Sequence, residues 1–124
     1  MKQVNKIDIT VETQYLKNQI PDKNKYVFAY KISIRNNGQQ SVQLINRYWL
    51  ITDGNGEKTE VQGEGVIGEQ PHIQIGDSFQ YTSGAVLDTP VGTMQGYYEM
   101  QREDGERFQA AIDVFSLAVP NAVN

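Results

Sequence analysis

The sequence predicts an all-β protein, either a two-sheet antiparallel β-sandwich or a small barrel, with seven to eight short strands. Apolar side chains recur at every second position through most of the 124 residues, which is the period of a strand with one buried face. Turn-forming residues interrupt that pattern every eight to fifteen residues, and no stretch has helical periodicity. The aromatic residues, seven Tyr, four Phe and one Trp, are types that strands favour.

The first two strands are predicted from strict alternation. Ile7, Ile9 and Val11 alternate with polar residues, and every even position from Tyr26 to Ile34 is aromatic or aliphatic. The turn Asn36-Asn37-Gly38 ends the second strand, because these residue types tolerate the left-handed backbone of tight turns.

The third strand, residues 41–52, has apolar residues on both faces. This indicates a central strand, or a strand with a β-bulge at Leu44-Ile45 that exchanges its two faces. Trp49 fits a sandwich core, and without cysteine the nearest analogue is the disulfide-free fibronectin type III arrangement. Asp53-Gly54-Asn55-Gly56 predicts a hairpin turn into a polar fourth strand that ends at Gln62.

The remaining elements are shorter. A glycine-rich stretch, Gly63 to Pro71, precedes a short strand at His72–Ile75, and a loop is predicted over Val86 to Gly92. Inward-facing residues of the last two strands, on either side of a turn at Glu103-Asp104-Gly105, are predicted to be Met94, Tyr98 and Met100, then Phe108, Ala110, Ile112 and Val114.

Length and composition exclude several classes of protein. The chain has the size of one domain, residues 1–124, with ends at 1–5 and 119–124 that we expect to fray. It has no cysteine and one histidine, His72, which excludes disulfides, cysteine nucleophiles and a multi-histidine metal site within one chain. No nucleophile, base and orienting group form a recognisable set, so we predict no catalytic residue, no metal site and no cofactor.

The charge of the chain argues against some partners. The net charge is −4 and the pI about 4.9, whereas nucleic-acid-binding proteins usually have a basic excess. Residues 1–62 have nine Lys or Arg and six Asp or Glu, a sum of +3, while residues 63–124 have two and nine, a sum of −7. No apolar run reaches the length of a signal peptide or a membrane span. We therefore predict a cytoplasmic protein that binds neither nucleic acid nor membrane.

Gly63, Gly65 and Gly68 match the G-x-G-x-x-G spacing of dinucleotide-binding loops. Such a loop leads into a helix whose N-terminus holds the phosphates, and Pro71 would interrupt that helix. A strand crossover or a bulged corner is the structural interpretation. In the functional alternative, these glycine amides form an anion-binding loop without a helix.

A candidate basic stripe, Lys25, Lys31 and Arg35, lies on the face of the second strand opposite its predicted core face. Edge strands often have lysine because its charge prevents aggregation, which is one interpretation. The functional interpretation is a surface for an acidic partner or a phosphate.

A candidate interaction surface follows from the same alternation, which turns Tyr97 outward and, in the last strand, Phe115 and Leu117 outward as well. The third strand adds Tyr48 or Trp49, depending on the bulge. An exposed patch of this kind often marks a partner or self-association surface. The alternative is that the C-terminal tail or a loop covers these residues as a second small core.

Four segments of the chain resemble one known family. They are Asn46–Asp53, Val61–Pro71, Tyr81–Gly84 and Met94–Tyr98. With these motifs the chain is similar, from about Ile7 to about Leu117, to ApaG (also called CorD), a family of small bacterial proteins.

The resemblance implies an immunoglobulin- or fibronectin type III-like β-sandwich and a cytoplasmic location. Similar domains are attached to F-box proteins and to a polymerase-interacting protein, which implies a binding module. The family name is tied to cobalt and magnesium efflux phenotypes and to genes near a dinucleoside polyphosphate hydrolase. The resemblance supplies no established reaction, ligand or catalytic residue.

We therefore expect a non-enzymatic binding module that contacts a protein partner or a second copy of itself. The alternative is a module that binds phosphate or a polyphosphate nucleotide through the Gly63–Gly68 loop. Because the chain has no cysteine and one histidine, we also predict that it has no tight Co²⁺ site.

Overall fold

The computed structural model describes residues 6–17 and 24–120, and this part of the chain forms eight β-strands in two antiparallel sheets. The strands are β1 (Ile7–Tyr15), β2 (Tyr26–Asn36), β3 (Val42–Asp53), β4 (Lys58–Glu64), β5 (His72–Ile73), β6 (Ser78–Leu87), β7 (Val91–Arg102) and β8 (Arg107–Ala118). One sheet has the order β1-β2-β6, and the other has the order β4-β3-β7-β8 with β5 also paired to β3. The predicted all-β sandwich is confirmed. None of the described residues forms a helix long and apolar enough to cross a membrane.

The core lies between the two sheets, where the predicted alternation places large apolar side chains. Every even position from Phe28 to Ile34 in β2 is buried, and so are Met94, Tyr98 and Met100 in β7. Trp49 of β3 is 2% exposed, and its indole meets the Tyr98 ring edge-on at a centroid distance of 6.2 Å. The predicted inward faces of β2 and β7 are confirmed, and Trp49 is the aromatic residue of β3 that lies in the core.

A β-bulge in β3 decides which aromatic side chain of that strand enters the core. The register with β7 shifts between Leu44 and Asn46, which confirms the predicted bulge. Leu44 and Trp49 are both buried although they are an odd number of positions apart, because the extra residue exchanges the faces. Tyr48 consequently points away from the core.

A second bulge, in β8, was not predicted. The register with β7 shifts between Met94 and Gly96, and residues 113 and 114 of β8 together stand opposite a single residue of β7. An extra residue on one strand exchanges the faces of the strand beyond it. The alternation therefore reverses after Ile112.

This reversal contradicts three predicted orientations. Val114, expected in the core, is 59% exposed, whereas Leu117, expected at the surface, is completely buried. Phe115 also turns inward, and its ring lies 5.9 Å from that of Trp49. The predictions that Phe115 and Leu117 are surface residues are wrong, and these side chains belong to the main core rather than to a second core under the tail.

The connection between β6 and β7 is shorter than the predicted loop over residues 86–92. Only residues 88–90 lie outside the two strands. Leu87 extends β6 because its side chain is 3% exposed in the core. The Thr89 hydroxyl accepts a hydrogen bond from the Gly54 amide, which joins this turn to the β3–β4 hairpin.

The predicted frayed ends are described only in part. Residues 1–5, 18–23 and 121–124 lie outside the described residues. Val119, which was expected to fray, donates a backbone hydrogen bond to the carbonyl of Pro90 and packs against the core. Ordered structure at the C-terminal end therefore includes Val119.

Candidate functional site

Two tyrosines stack on the outer face of the five-stranded sheet. Tyr48 of β3 and Tyr97 of β7 are cross-strand partners, and their rings are 5.1 Å apart at an interplanar angle of 24°. Both side chains are half-buried. Cross-strand aromatic pairs stabilise a sheet, but this pair lies on the side away from the core, where its outer edges contact solvent. We call the surface around Tyr48 and Tyr97 the tyrosine face.

The β3–β4 pairing brings a carboxylate to this pair. The Tyr48 hydroxyl donates a hydrogen bond of 2.8 Å to the carboxylate of Glu60, an exposed residue of β4. This hydrogen bond raises the pKa of Tyr48 above its ordinary value of 10.0, because losing the proton would place two negative charges side by side. Glu60 therefore orients the phenol and adds negative charge beside the stacked rings.

An open cavity of about 420 Å³ adjoins the two tyrosines. It is lined by Asn46, Arg47, Tyr48, Gln62, Gly63, Glu64, Tyr97, Glu99 and Gln109. Within it, the Glu99 carboxylate accepts a hydrogen bond of 2.7 Å from the Asn46 amide and pairs with Arg107 at 3.3 Å. The cavity thus combines two aromatic rings with amide and carboxylate groups.

Tyr97 lies on this face, at the orientation that the alternation of β7 predicts. Tyr48 joins it rather than Trp49, because the bulge in β3 turns Trp49 inward. Leu50, half-buried on the same face of β3, and the exposed Val114 of β8 supply the apolar groups that Phe115 and Leu117 were expected to supply.

The predicted anion-binding loop is a tight hairpin turn rather than the start of a helix. Val66 and Glu69 exchange backbone hydrogen bonds of 2.8 and 2.9 Å around Ile67 and Gly68, whose φ angles are 43° and 79°. The Gly65 amide donates to the carbonyl of Ile45 at 2.8 Å. The amides of Gly65, Val66 and Glu69 therefore bind carbonyl groups of the protein itself.

Glycine is required at position 63 for a different structural reason. It stands opposite Arg47 in the β3–β4 pair, and a Cβ at position 63 would lie 2.8 Å from the Arg47 guanidinium nitrogens. With that space free, Arg47 Nη1 donates to the carbonyls of Glu64 and Gly65, each at 3.0 Å. Gly63 thus lets an arginine brace the start of the turn.

Lys31 and Arg35 of the basic stripe lie on β2, the centre of its sheet, and Lys25 directly precedes that strand, so the edge-strand interpretation is wrong. Lys25 forms an ion pair with Asp88. Glu12 of β1 stands opposite Lys31 in the ladder, and Asp8 of the same strand stands opposite Arg35. Lys31 and Arg35 therefore share one face of the sheet, and each of the three predicted cations has a carboxylate beside it.

A second cavity, of about 300 Å³, contains the residue types of a hydrolase site. Ser41, His72 and Glu103 all line it. The Ser41 hydroxyl, however, donates directly to the Glu103 carboxylate at 2.8 Å. In a Ser-His-Asp triad the serine hydroxyl donates to the histidine, which removes its proton. Here the Ser41 hydroxyl donates to a carboxylate instead, so these contacts favour a structural role. In the described ranges, no group of three or more His, Cys, Asp or Glu could hold a metal ion.

Sequence reasoning missed Arg47 and Glu60 as members of the site. Both positions follow from the register of β3 with β4, which places Gly63 beside Arg47 and brings the Glu60 carboxylate to Tyr48. The hairpin turn at Asp53–Gly56 was predicted, and counting back from it pairs Arg47 with Gly63 and places Glu60 diagonally across from Tyr48, opposite Leu50.

The ApaG domain profile matches residues 16–102 of the chain. The chain belongs to the ApaG family. It is 56% identical over 120 residues to Protein ApaG of Enterobacter sp. (strain 638), covering 96% of each chain, and 55% identical to Protein ApaG of Sodalis glossinidius (strain morsitans) over the same share. The resemblance noted from the sequence motifs is thereby confirmed.

Solved structures agree with the ApaG assignment. The crystal structure of the putative ApaA protein from Bordetella pertussis is 42% identical, with a TM-score of 0.90 over 96% of this chain and 98% of that one. A protein from Archaeoglobus fulgidus has a TM-score of 0.58 at 6% identity over 92% of this chain and 98% of that one, which shows a shared fold alone. The similarity to the Bordetella pertussis structure therefore extends over both sheets, including the strands that form the tyrosine face.

Proposed function

We propose that this chain is a non-enzymatic binding module whose tyrosine face contacts a protein partner. The observation that carries the proposal is the stacked Tyr48–Tyr97 pair, which lies beside an open cavity on the outside of a sheet whose other side already packs a complete core. Tyrosine is enriched at the centres of protein interfaces because its ring is apolar and its hydroxyl is polar.

Val114 allows a direct test of this proposal. We would place a photo-crosslinking residue at Val114, which is 59% exposed on the five-stranded sheet, and a matched one at Val86, which is 53% exposed on the three-stranded sheet. The expected result is a crosslinked protein from position 114 alone, and its loss when Tyr48 and Tyr97 are both changed to Ala. Equal crosslinking from both positions, or crosslinking that survives the tyrosine changes, would contradict the proposal.

The same experiment separates a heterologous partner from self-association. A crosslinked product of twice the mass of the chain indicates a second copy, and analytical ultracentrifugation of the purified protein then detects a concentration-dependent dimer.

Anion binding is the second candidate function, and the Arg47 guanidinium in the same cavity is the observation that favours it. Against it, the amides of Gly65, Val66 and Glu69 are already hydrogen-bonded within the protein. A thermal-shift series with pyrophosphate, ATP and dinucleoside polyphosphates tests it, since a ligand at about 100 times its Kd adds about 2.7 kcal/mol of stability. No shift at millimolar concentrations would contradict this function.

A further inference from the structure

We infer that the tyrosine face binds a cationic segment, a stretch of a partner protein with exposed arginine or lysine side chains. This inference rests on the proposed function, because it names the chemistry of the partner that the same surface accepts. Three features of the face support it. Two carboxylates have no ion-pair partner among the described residues, two arginines already bind oxygen atoms of the protein, and two aromatic rings are stacked beside them.

Two carboxylates on one side of the tyrosine pair have no ion-pair partner among the described residues. Glu60 and Glu64, both exposed on β4, form no ion pair within 4.0 Å in the part of the chain that the structure describes. Glu60 touches the pair through the Tyr48 hydroxyl, and Glu64 lines the cavity. A partner's ammonium or guanidinium group placed here would neutralise negative charge that the fold leaves exposed.

The two arginines beside the cavity, in contrast, already bind oxygen atoms. Arg47 Nη1 donates to the carbonyls of Glu64 and Gly65 at 3.0 Å each, and Arg107 pairs with Glu99 at 3.3 Å. An incoming anion would have to compete with these acceptors and approach the carboxylates of Glu64 and Glu99. The face therefore favours a cation over a phosphate.

The stacked rings add a second attraction for a cation. The faces of Tyr rings carry negative electrostatic potential, and guanidinium groups are the commonest cations to stack on them. The hydrogen bond from the Tyr48 hydroxyl to Glu60 holds that ring in one orientation. Arginine also supplies donors for the amide oxygens of Asn46 and Gln62, which line the same cavity.

The test uses the full chain and three probes: a hexa-arginine peptide, a hexa-glutamate peptide and inorganic pyrophosphate. Isotope-labelled protein reports where each probe binds, and calorimetry gives the affinity. We expect hexa-arginine alone to shift the amide resonances of Tyr48 and Tyr97. Glu64→Gln should weaken this binding about two- to five-fold, the usual range for an exposed ion pair. Tyr97→Ala should weaken it about ten-fold, as expected for loss of a cation–π contact.

A matched variant separates a built site from general attraction to an acidic chain. Glu12→Gln removes the same charge from an exposed position on β1, an edge strand of the other sheet, and should leave hexa-arginine affinity unchanged. Equal weakening by Glu12→Gln and Glu64→Gln would refute the inference. So would pyrophosphate binding to the unchanged chain that is as tight as hexa-arginine binding. If Tyr97→Ala fails to fold, the glutamate variants still decide the result.

The failures of the inference and of the proposed function are distinguishable. A partner that crosslinks at position 114 and keeps its affinity when Glu60 and Glu64 are both changed to Gln refutes the cationic segment and supports the proposed function. If no protein crosslinks through this face, the proposed function itself is refuted.

Discussion

Tyr81 and Tyr98 meet inside the core, where one comes from each sheet. Their hydroxyl groups form a hydrogen bond, and the side chains are 6% and 0% exposed. Burial raises the pKa of both phenols above the ordinary value of 10.0, so both stay neutral and each satisfies the other. A polar contact in this position fixes how the two sheets lie against each other.

Tyr98→Phe leaves the Tyr81 hydroxyl buried without this partner. We expect a loss of about 1–3 kcal/mol in the free energy of unfolding, which is the usual cost of an unsatisfied buried polar group. Urea denaturation measures it. The double variant Tyr81→Phe with Tyr98→Phe should regain part of the loss, because no hydroxyl then lacks a partner. This explanation would be contradicted if the second substitution lowered the free energy of unfolding by as much again as the first.

Gly65 and Gly68 offer a matched pair for the turn after β4. Both have positive φ angles, but a Cβ at Gly65 would lie 2.0 Å from the Glu69 carbonyl oxygen, whereas a Cβ at Gly68 meets nothing within 4 Å. Gly68→Ala should cost only the left-handed backbone penalty of about 1–2 kcal/mol. Gly65→Ala should cost clearly more, since backbone must move as well. Equal midpoints of thermal unfolding for the two variants would show that the backbone moves away from a Cβ at position 65 without a cost in stability.

The turn between β7 and β8 predicts a pH dependence. Hydrogen bonds from the Ser41 amide and hydroxyl hold the pKa of Glu103 below its ordinary value of 4.5, and the Glu106 amide holds that of Asp104 below 3.8. A pKa lowered by folding contributes stability that is present above the unfolded value and is lost as pH falls through the folded value. Stability should therefore decline on the acid side of pH 4.5.

Urea midpoints measured from neutral pH downward check this direction. Glu103→Gln should be less stable than the parent at neutral pH, and the two should converge at low pH because the parent carboxylate is then protonated. Glu12→Gln, at an exposed position on β1, is the control and should track the parent. Divergence between the parent and Glu103→Gln as pH falls would reverse the expected sign.

At the scale of elements, the two bulges decide which side chains face the core. The bulge in β3 was predictable because residues 41–52 have apolar groups on both faces. The bulge in β8 was not, because Val114 and Phe115 are both apolar and alternation alone fits either one to the core. Pairing with β7 determines the extra residue, and pairing is a property of the folded sheet rather than of one segment.

Deleting Val114 tests this account of β8. Residues 113 and 114 share one position of the ladder, so removing one of them leaves a regular ladder with Phe115 and Leu117 still facing inward. We expect a folded protein that loses no more than about 2 kcal/mol, whereas deleting Ser116 turns Leu117 outward and should cost more than about 3 kcal/mol. Denaturant midpoints and circular dichroism compare the two. Equal losses would mean that the extra residue at 113–114 is not what sets the faces.

At the scale of the whole molecule, the fold was more predictable than the site. Period-two patterning specifies each strand locally, and it correctly placed the core residues of β2 and β7. The tyrosine face needs three strands in register, since Glu60 reaches Tyr48 of β3 from β4 while Tyr97 reaches it from β7. Of this face, Tyr97 and, conditionally, Tyr48 followed from the sequence, whereas Gly63 was singled out for an anion-binding loop.

The composition of the whole chain also predicts how strongly it binds Co²⁺. Co²⁺ prefers imidazole and thiolate ligands, and the chain has one histidine and no cysteine. His72 is exposed at the start of β5, where it supplies one imidazole nitrogen to any ion. We therefore expect calorimetry on untagged protein to give only weak Co²⁺ binding, which His72→Ala should abolish. Sub-micromolar binding that survives His72→Ala would show that carboxylates of this chain form a cobalt site.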